Sequence, residues 1–513
     1  MLSAVARKYN SLGLVVLIFL LPFVQLQAQD KSEESVYELY LRLGDYYASR
    51  QENKKAADAY RQAAERVKHS YSEEMQIEIS QRLVDVNATA AAINTLQAQC
   101  HSRQYRYDPC LLLARYLSWH NQPIAASKIG QQLLGFDSSD EDVLITQANA
   151  LSWQGDEANA LRLYEQLLGT RQSADSGFDI VLGYTQSLLA TANYRAAYEA
   201  YTKLRPKNEF EQRVIDDLAW QFHREASPRF FFRTEQYDDI YDAGYTRHTL
   251  GLDVPFDASW LWLRTGSISS TDGIRKVELD HHQVGGMMRL HNRLQLSGFV
   301  GRALDPKGVV EPVNTGSLSI SANLPQLWLS LSVVRELVDD SPYALENGIL
   351  RESQELALNY QISDRWGLRL NGKNTDYSDD NHSLDASVMA LYNFYFGPPK
   401  MSVGLKREVL AFDRQAGGGY FDPDQVMTNK LLLVISKSQD RFSAFLELFA
   451  GTETIERFGG QEENEIIGGY ASFRFQFMEH AQLELIWEGA NLAYGEPNAY
   501  RYYQTELNAY IYF

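Results

Sequence analysis

The chain has 513 residues, a formal charge of −18, 12% aromatic residues with 31 tyrosines among them, and two cysteines. That length exceeds one ordinary domain, so two or three are expected. The acidic balance excludes nucleic acid as a partner, because too few cations are available to displace counterions from a phosphate backbone.

The first segment reads as an address. Arg7 and Lys8 precede the apolar run LGLVVLIFLLPF, and LQA ends at Ala28. A basic start, an apolar run of about a dozen residues and a small residue before the cut predict a cleaved secretory signal over 1–28. The run falls short of the ~20 residues a spanning helix needs. No cysteine follows it to take a lipid. The mature chain is expected to be exported.

From residue 33 to 225 the apolar pattern has a helical period and repeats itself. Gly44, Tyr47, Ala56, Tyr60 and Ala63 stand where a tetratricopeptide helix pair places its small and aromatic contacts. The alanine-to-aromatic element recurs as Ala160 with Tyr164 and Ala197 with Tyr201, with a weaker copy in Leu117, Ala126 and Leu133. Ala126 and Ala160 are 34 positions apart, the tetratricopeptide period. A degenerate unit fits around Ala92 and Leu96. About five repeats are predicted, small residues letting paired helices approach and aromatics filling the space to the next pair. Cys100 and Cys110, in CHSRQYRYDPC, predict a local disulfide in an oxidising compartment. The alternative, a metal pair, has only His101 nearby and a spacing that fits no zinc pattern.

At Pro228 the period changes to two. In QLWLSLSVV, Leu327, Leu329, Leu331 and Val333 share one face and Trp328, Ser330 and Ser332 the other. In RFSAFLELFAG, Phe442, Ala444, Leu446 and Leu448 oppose Ser443, Phe445, Glu447 and Phe449, and YASFRFQF and AQLELIWEG alternate likewise. Short connections (VPFDAS, LHN, LPQ, SDR, GPPK, SQD, MEH) alternate with longer ones (DDIYDA, SSTDGI, DPKGVVEP, DDSPYALENG, YSDDN, GGGYFDPDQ, IERFGGQEENE, AYGEPNA) along about sixteen strands. Parity of loop length is what a membrane barrel needs, with tight turns on one side and larger loops on the other. The fold class predicted is a periplasmic tetratricopeptide α-solenoid over 33–225 followed by a roughly 16-stranded antiparallel outer-membrane β-barrel over 228–513. The final strand TELNAYIYF ends on an aromatic residue, resembling the signal read by the barrel assembly machinery.

No catalytic constellation emerges, so no enzyme, cofactor or metal is expected. Asp280, His281 and His282 lie on a strand, where the adjacent histidines point to opposite faces. The acidic run QEENE at 461–465 reads as a solvated loop. Most of the net negative charge falls in the strand half. A strand charge facing lipid costs about 2–4 kcal/mol at the midplane. Asp385, Glu447, Glu484, Glu488 and Glu506 are therefore expected to line the lumen, with Arg264, Arg369, Lys373 and Arg474, giving a mixed lining with an acidic excess.

The signal, repeats and C-terminal strands together resemble the outer-membrane exporters of bacterial exopolysaccharides, of the cellulose-synthase-operon protein C and poly-N-acetylglucosamine porin types. Two loops carry the likeness. YSDDN at 377–381 resembles a Tyr-Ser-Asp-Gly-Asn loop, and GGYFDPDQ at 418–425 a Gly-Gly-Tyr-Phe-Ser-Pro-Gln loop. Asp380 stands in place of the glycine, and Asp422 and Asp424 flank Pro423. The repeat region is short for the cellulose type and nearer the smaller YaiO-like barrels. The resemblance implies export of a biofilm or capsule glycan, with Tyr420 and Phe421 offering flat faces to sugar rings and Asp422 accepting hydroxyl hydrogen bonds. Implied partners are the polysaccharide, outer-membrane lipid, and periplasmic or inner-membrane synthase and modification proteins. The competing reading is a non-conducting anchor that presents the repeats to a periplasmic complex.

Overall fold

The computed structural model describes residues 33–67, 73–100, 107–170, 177–239, 243–256, 259–291, 293–308, 310–339, 341–439, 441–478, 480–491 and 501–513. The expected signal over 1–28 lies outside them. Contacts divide the chain into two compact units, Met1–His120 and Asn121–Phe513.

Among the described residues, eleven helices precede the strands. The first unit holds α1 (Glu33–Ser49), α2 (Asn53–Val67), α3 (Glu73–Asp85), α4 (Thr89–Cys100) and α5 (Tyr107–Trp119). Helices α6 (Pro123–Leu134), α7 (Glu141–Trp153), α8 (Glu157–Thr170), α9 (Phe178–Ala190), α10 (Tyr194–Tyr201) and α11 (Glu209–Ala226) follow. Small residues are where close approach demands them. A Cβ on Gly44 would lie 2.1 Å from the Tyr60 ring, and one on Gly183 2.3 Å from the Tyr164 hydroxyl. Gln51, Asn87, Asn121, Gly155 and Ala192, in the α1–α2, α3–α4, α5–α6, α7–α8 and α9–α10 turns, all have φ between 55° and 85°. After four of them a backbone N–H reaches back around the turn, as Glu52 does to the Tyr47 carbonyl and Asp156 to that of Leu151. The structure joins Cys100 and Cys110, their Cα atoms 5.5 Å apart.

The strands are β1 (Arg229–Asp239), β2 (Ala243–Phe256), β3 (Ser259–Asp272), β4 (Lys276–His291), β5 (Leu294–Leu304), β6 (Val313–Leu324), β7 (Leu327–Leu337) and β8 (Leu350–Gln361). They continue as β9 (Trp366–Tyr377), β10 (His382–Tyr395), β11 (Lys400–Phe412), β12 (Gln425–Gln439), β13 (Phe442–Arg457), β14 (Gly460–Met478), β15 (Ala481–Asn491) and β16 (Arg501–Tyr512). Each pairs antiparallel with its sequence neighbour, and β1 pairs with β16 from Arg229↔Tyr512 onward, closing a sixteen-stranded barrel. Closure satisfies every strand edge. A short helix α12 (Pro342–Glu346) in the β7–β8 loop touches β3 and β4, several strands away. In a closed barrel that contact crosses the interior, so the parity of Ile268 and Leu279, which meet Leu345 of α12, marks the lumen face.

The other parity carries exposed apolar side chains: Leu250, Leu263, Val284, Val300, Leu331, Leu405, Leu431, Phe475 and Leu485. This belt is the lipid face of an outer-membrane barrel, and the helices stand on the periplasmic side. Among the described residues no helix is long and apolar enough to cross a membrane. Two expectations are corrected here. The acidic run 461–465 is not a loop, because β14 begins at Gly460 and Gln461–Glu465 pair with Thr452–Glu456 of β13. Above the lipid an extended polar segment keeps its ladder hydrogen bonds, so the sheet continues where charge predicts a loop. The acidic excess is also not in the lumen. Glu278, Asp280, Glu352, Asp376, Glu456, Glu463 and Glu465 have the outward parity, toward the strand ends away from the helices.

Candidate functional site

The pathway to consider is the lumen, with a helical seat below and packed loops above. Below, the helices of the second unit grip the turns of the barrel. Asn121 donates to the Phe396 carbonyl at 2.8 Å, at the β10–β11 turn. The N–H groups of Ile124 and Ala125, at the start of α6, donate to the Asp364 carboxylate of the β8–β9 turn at 3.0 and 2.8 Å. A carboxylate there complements the positive end of the helix. Burial pushes the Asp364 carboxyl up, and those two N–H groups draw it back. Arg293 of the β4–β5 turn pairs with the buried Asp156 at 2.7 Å. Arg289 donates to the Ala190 carbonyl at the end of α9, at 2.8 Å. Trp220 of α11 meets Tyr512 of β16 edge to face, ring centroids 5.2 Å apart. These points are spread around the rim, so the helices form a collar on the periplasmic mouth.

The lumen wall sorts its charges by sector. On β13–β16, Glu484 pairs with Arg474 at 2.9 Å, Glu488 accepts from the Tyr502 hydroxyl at 2.7 Å, and Glu506 pairs with Arg233 across the β1–β16 seam at 3.2 Å. Glu447 stands opposite Tyr470 in register, with no ion pair among the described residues. On β8–β12, Lys373 pairs with Glu355 at 3.2 Å and Lys430 with Glu408 at 2.5 Å, Lys406 also reaching Glu408. Asp385 stands opposite Lys373 in register and makes no ion pair among the described residues. Arg369 shares the lumen parity of Lys373.

On β1–β4 the lumen holds a cavity of about 540 Å³ whose lining includes Arg229, Arg233, Arg247, Arg264, Asp253 and Trp262. The arginines are packed as flat plates. Arg264 lies 4.8 Å over the Phe231 ring and 5.2 Å over Trp262, and Arg229 4.8 Å over Trp260. Asp253 holds Arg229 at 2.7 Å and also Arg264. Arg247 bridges Glu235, at 3.0 Å, and Asp339 of the β7–β8 loop. Sequence parity could have placed Arg233 and Arg247 inside. Their pairing across loop and wall had no signal in the sequence.

At the outer end of the barrel three loops pack together. Val338, Ala344 and Ile349 of the β7–β8 loop bury against Phe412 and against Tyr420 of the β11–β12 loop. The two loops YSDDN and GGGYFDPDQ meet there. The Tyr420 ring stacks on Tyr377 at 4.5 Å, its hydroxyl donates to Asp379 at 3.0 Å, and Asn381 donates to it at 3.2 Å. Burial pushes the Tyr420 phenol up. Tyr343 packs so closely on Gly419, at φ +81°, that a Cβ would lie 2.6 Å from its ring. Asp422 is buried and accepts from the Gly417 N–H at 3.1 Å. Phe421 is half-buried against Val426 and Ile455. Tyr420 is thus buried and Phe421 half-buried against the protein.

His281 faces the lumen near Thr249, and His282 faces outward, 2.9 Å from the Thr265 hydroxyl. Among the described residues no group of three His, Cys, Asp or Glu side chains is placed to hold a metal ion.

No protein-family model matches the chain, and no curated protein matches it in sequence. Solved structures resemble it in part. A bacterial polysaccharide outer membrane secretin is 12% identical, with TM-score 0.48 over 56% of this chain and 98% of its own. OccD3 (OpdP) of Pseudomonas aeruginosa is 9% identical, with TM-score 0.34 over 56% of this chain and 91% of its own. A tetratricopeptide repeat protein from Parabacteroides merdae ATCC 43184 is 12% identical, with TM-score 0.30 over 37% of this chain and 71% of its own.

Proposed function

We propose that the protein is a non-enzymatic outer-membrane channel for export of an exopolysaccharide. The observation that carries this reading is the continuous sequence of parts in one unit: a helical collar on the periplasmic rim, a lumen lined with charges and stacked aromatics, and packed loops at the outer end. The loop motifs at 377–381 and 418–425, which resemble those of glycan exporters, meet each other there and support the same reading. In it the helices gather polymer or synthase and modification partners, the lumen passes the chain without covalent chemistry, and the mouth opens only under load. Cations and carboxylates share the lumen, so the lining favours hydroxyl-rich chains over a polymer of one charge sign. Glu447 and Asp385, which make no ion pair among the described residues, and paired Glu484, Glu488 and Glu506 are the pathway residues of this proposal. Tyr420, Phe421 and Asp422 act as its gate, turning outward when the loops release. Insertion is assigned to the barrel assembly machinery.

The experiment is single-channel conductance of the purified protein in planar bilayers, intact and with residues 414–424 deleted. Conductance that rises on deletion and is blocked by glycan fragments supports export. A deleted form that inserts and never conducts favours the second reading, an anchor for the periplasmic repeats, toward which the latched mouth also points.

A further inference from the structure

The outer wall of β1–β6 carries a feature the channel reading does not use. Between β16 and β6 the lipid face is indented, enclosing about 1170 Å³. Its floor is apolar, with Phe232, Leu250, Leu263, Val284, Val300 and Ile511 facing out. Along its upper edge runs one polar row in register: Thr265↔His282, His282↔Arg302 and Arg302↔Asn314. The Thr265 hydroxyl and the His282 ring are 2.9 Å apart. Arg302 is exposed and makes no ion pair with any described carboxylate, although Asp280 lies two residues above His282 on the same face. A cation at the boundary between lipid and headgroup level, above an apolar hollow, fits an acyl chain below and an anionic group above. The row lies on the side of the belt away from the helices, which is the outer leaflet.

We infer that this hollow binds one phosphorylated, acylated lipid of the outer leaflet, its chain on Leu250, Leu263 and Val300 and its phosphate on Arg302 and His282. The inference stands whether or not the lumen conducts. The Arg302 cation, with no described carboxylate paired to it and an apolar hollow beneath, complements an amphiphile that carries an anionic head on an acyl chain.

The test is native mass spectrometry of the full chain in detergent, titrated with bis-phosphorylated lipid A, with the same lipid stripped of phosphate, and with inorganic phosphate as competitor. One phosphorylated lipid should be retained. Arg302→Ser should weaken retention about tenfold, the loss of one charge-assisted contact, and Arg302→Lys should restore most of it. Leu250→Ser with Leu263→Ser should weaken both lipids. Equal retention of the two lipids, or by wild type and Arg302→Ser, overturns the inference. Displacement by inorganic phosphate alone overturns it in favour of a bare anion site, and a lipid-free dimer in favour of a protein partner. Heat-modifiable gel migration verifies that each variant barrel is folded.

Discussion

Tyr377 and Tyr420 stack with ring centroids 4.5 Å apart and planes 8° apart, tying the end of β9 to the loop before β12. The phenol of Tyr420 adds its bond to Asp379, so the pair works as a latch between the two motif-bearing loops. A stacked aromatic pair contributes about 0.5–1.5 kcal/mol beyond its burial. Tyr420→Ala should therefore raise the open fraction in planar bilayers about two- to tenfold. Tyr420→Phe, which keeps the stack, should raise it less.

The lumen carboxylates differ in what their removal exposes. Glu447→Gln removes a charge with no ion partner and should shift the reversal potential toward anions without loss of folded protein. Glu484→Gln should shift it further, because Arg474 then faces the lumen unpaired. An unchanged reversal potential in both variants would place the ion path elsewhere.

Asp364 holds the first turn of α6 from the barrel side. Losing such a cap costs about 0.5–2 kcal/mol. In Asp364→Ala, hydrogen exchange at Ile124 and Ala125 should quicken by about two- to thirtyfold, while strand amides stay protected.

Glu157, the first residue of α8, is pushed up to about 7 by burial, with the Ser187 and Ser152 hydroxyls opposing. The folded state thus keeps a proton that an unfolded chain releases near 4.5. Between those values the folded state binds more protons, so solenoid stability should fall as pH rises through the window. Thermal midpoints of the helical transition at pH 5 and pH 8 check this, and Glu157→Gln should flatten the difference.

In the first unit, Gly44→Ala drives a methyl group into the Tyr60 ring. Overpacking of this kind costs about 1–3 kcal/mol, read as a lowered helical melting midpoint by circular dichroism.

Much of this architecture was legible in the sequence, for physical reasons. A strand that faces water on one side and lipid on the other must alternate, and Leu327–Val333 and Phe442–Phe449 do so, with Trp328, Phe445 and Phe449 the aromatic residues on the lumen side. Close-packed helix pairs need Gly44 beside Tyr60 and Ala160 near Tyr164, and those spacings stand in the chain. What was not legible depends on distance in sequence. The latch joins 379 to 420, the arginine of β2 finds its acid at 339, and the seat of α6 lies at 364. Composition misled at 461–465, where charge suggests a loop although a strand above the lipid can carry any polar residue. The left-handed turns at Gln51 and Ala192 escaped because neither residue type announces such a backbone as Gly155 and, more weakly, Asn87 and Asn121 do.

The collar has a consequence for the order of assembly. Its helices leave the secretion machinery before any strand does, yet their anchor points at Asp364, Arg293 and Tyr512 exist only in a finished barrel. Trp220 finds its place when the last strand has closed on the first. Seating of the helices is thus a report that closure is complete, and a chain stalled on its way into the membrane would carry its solenoid folded but undocked.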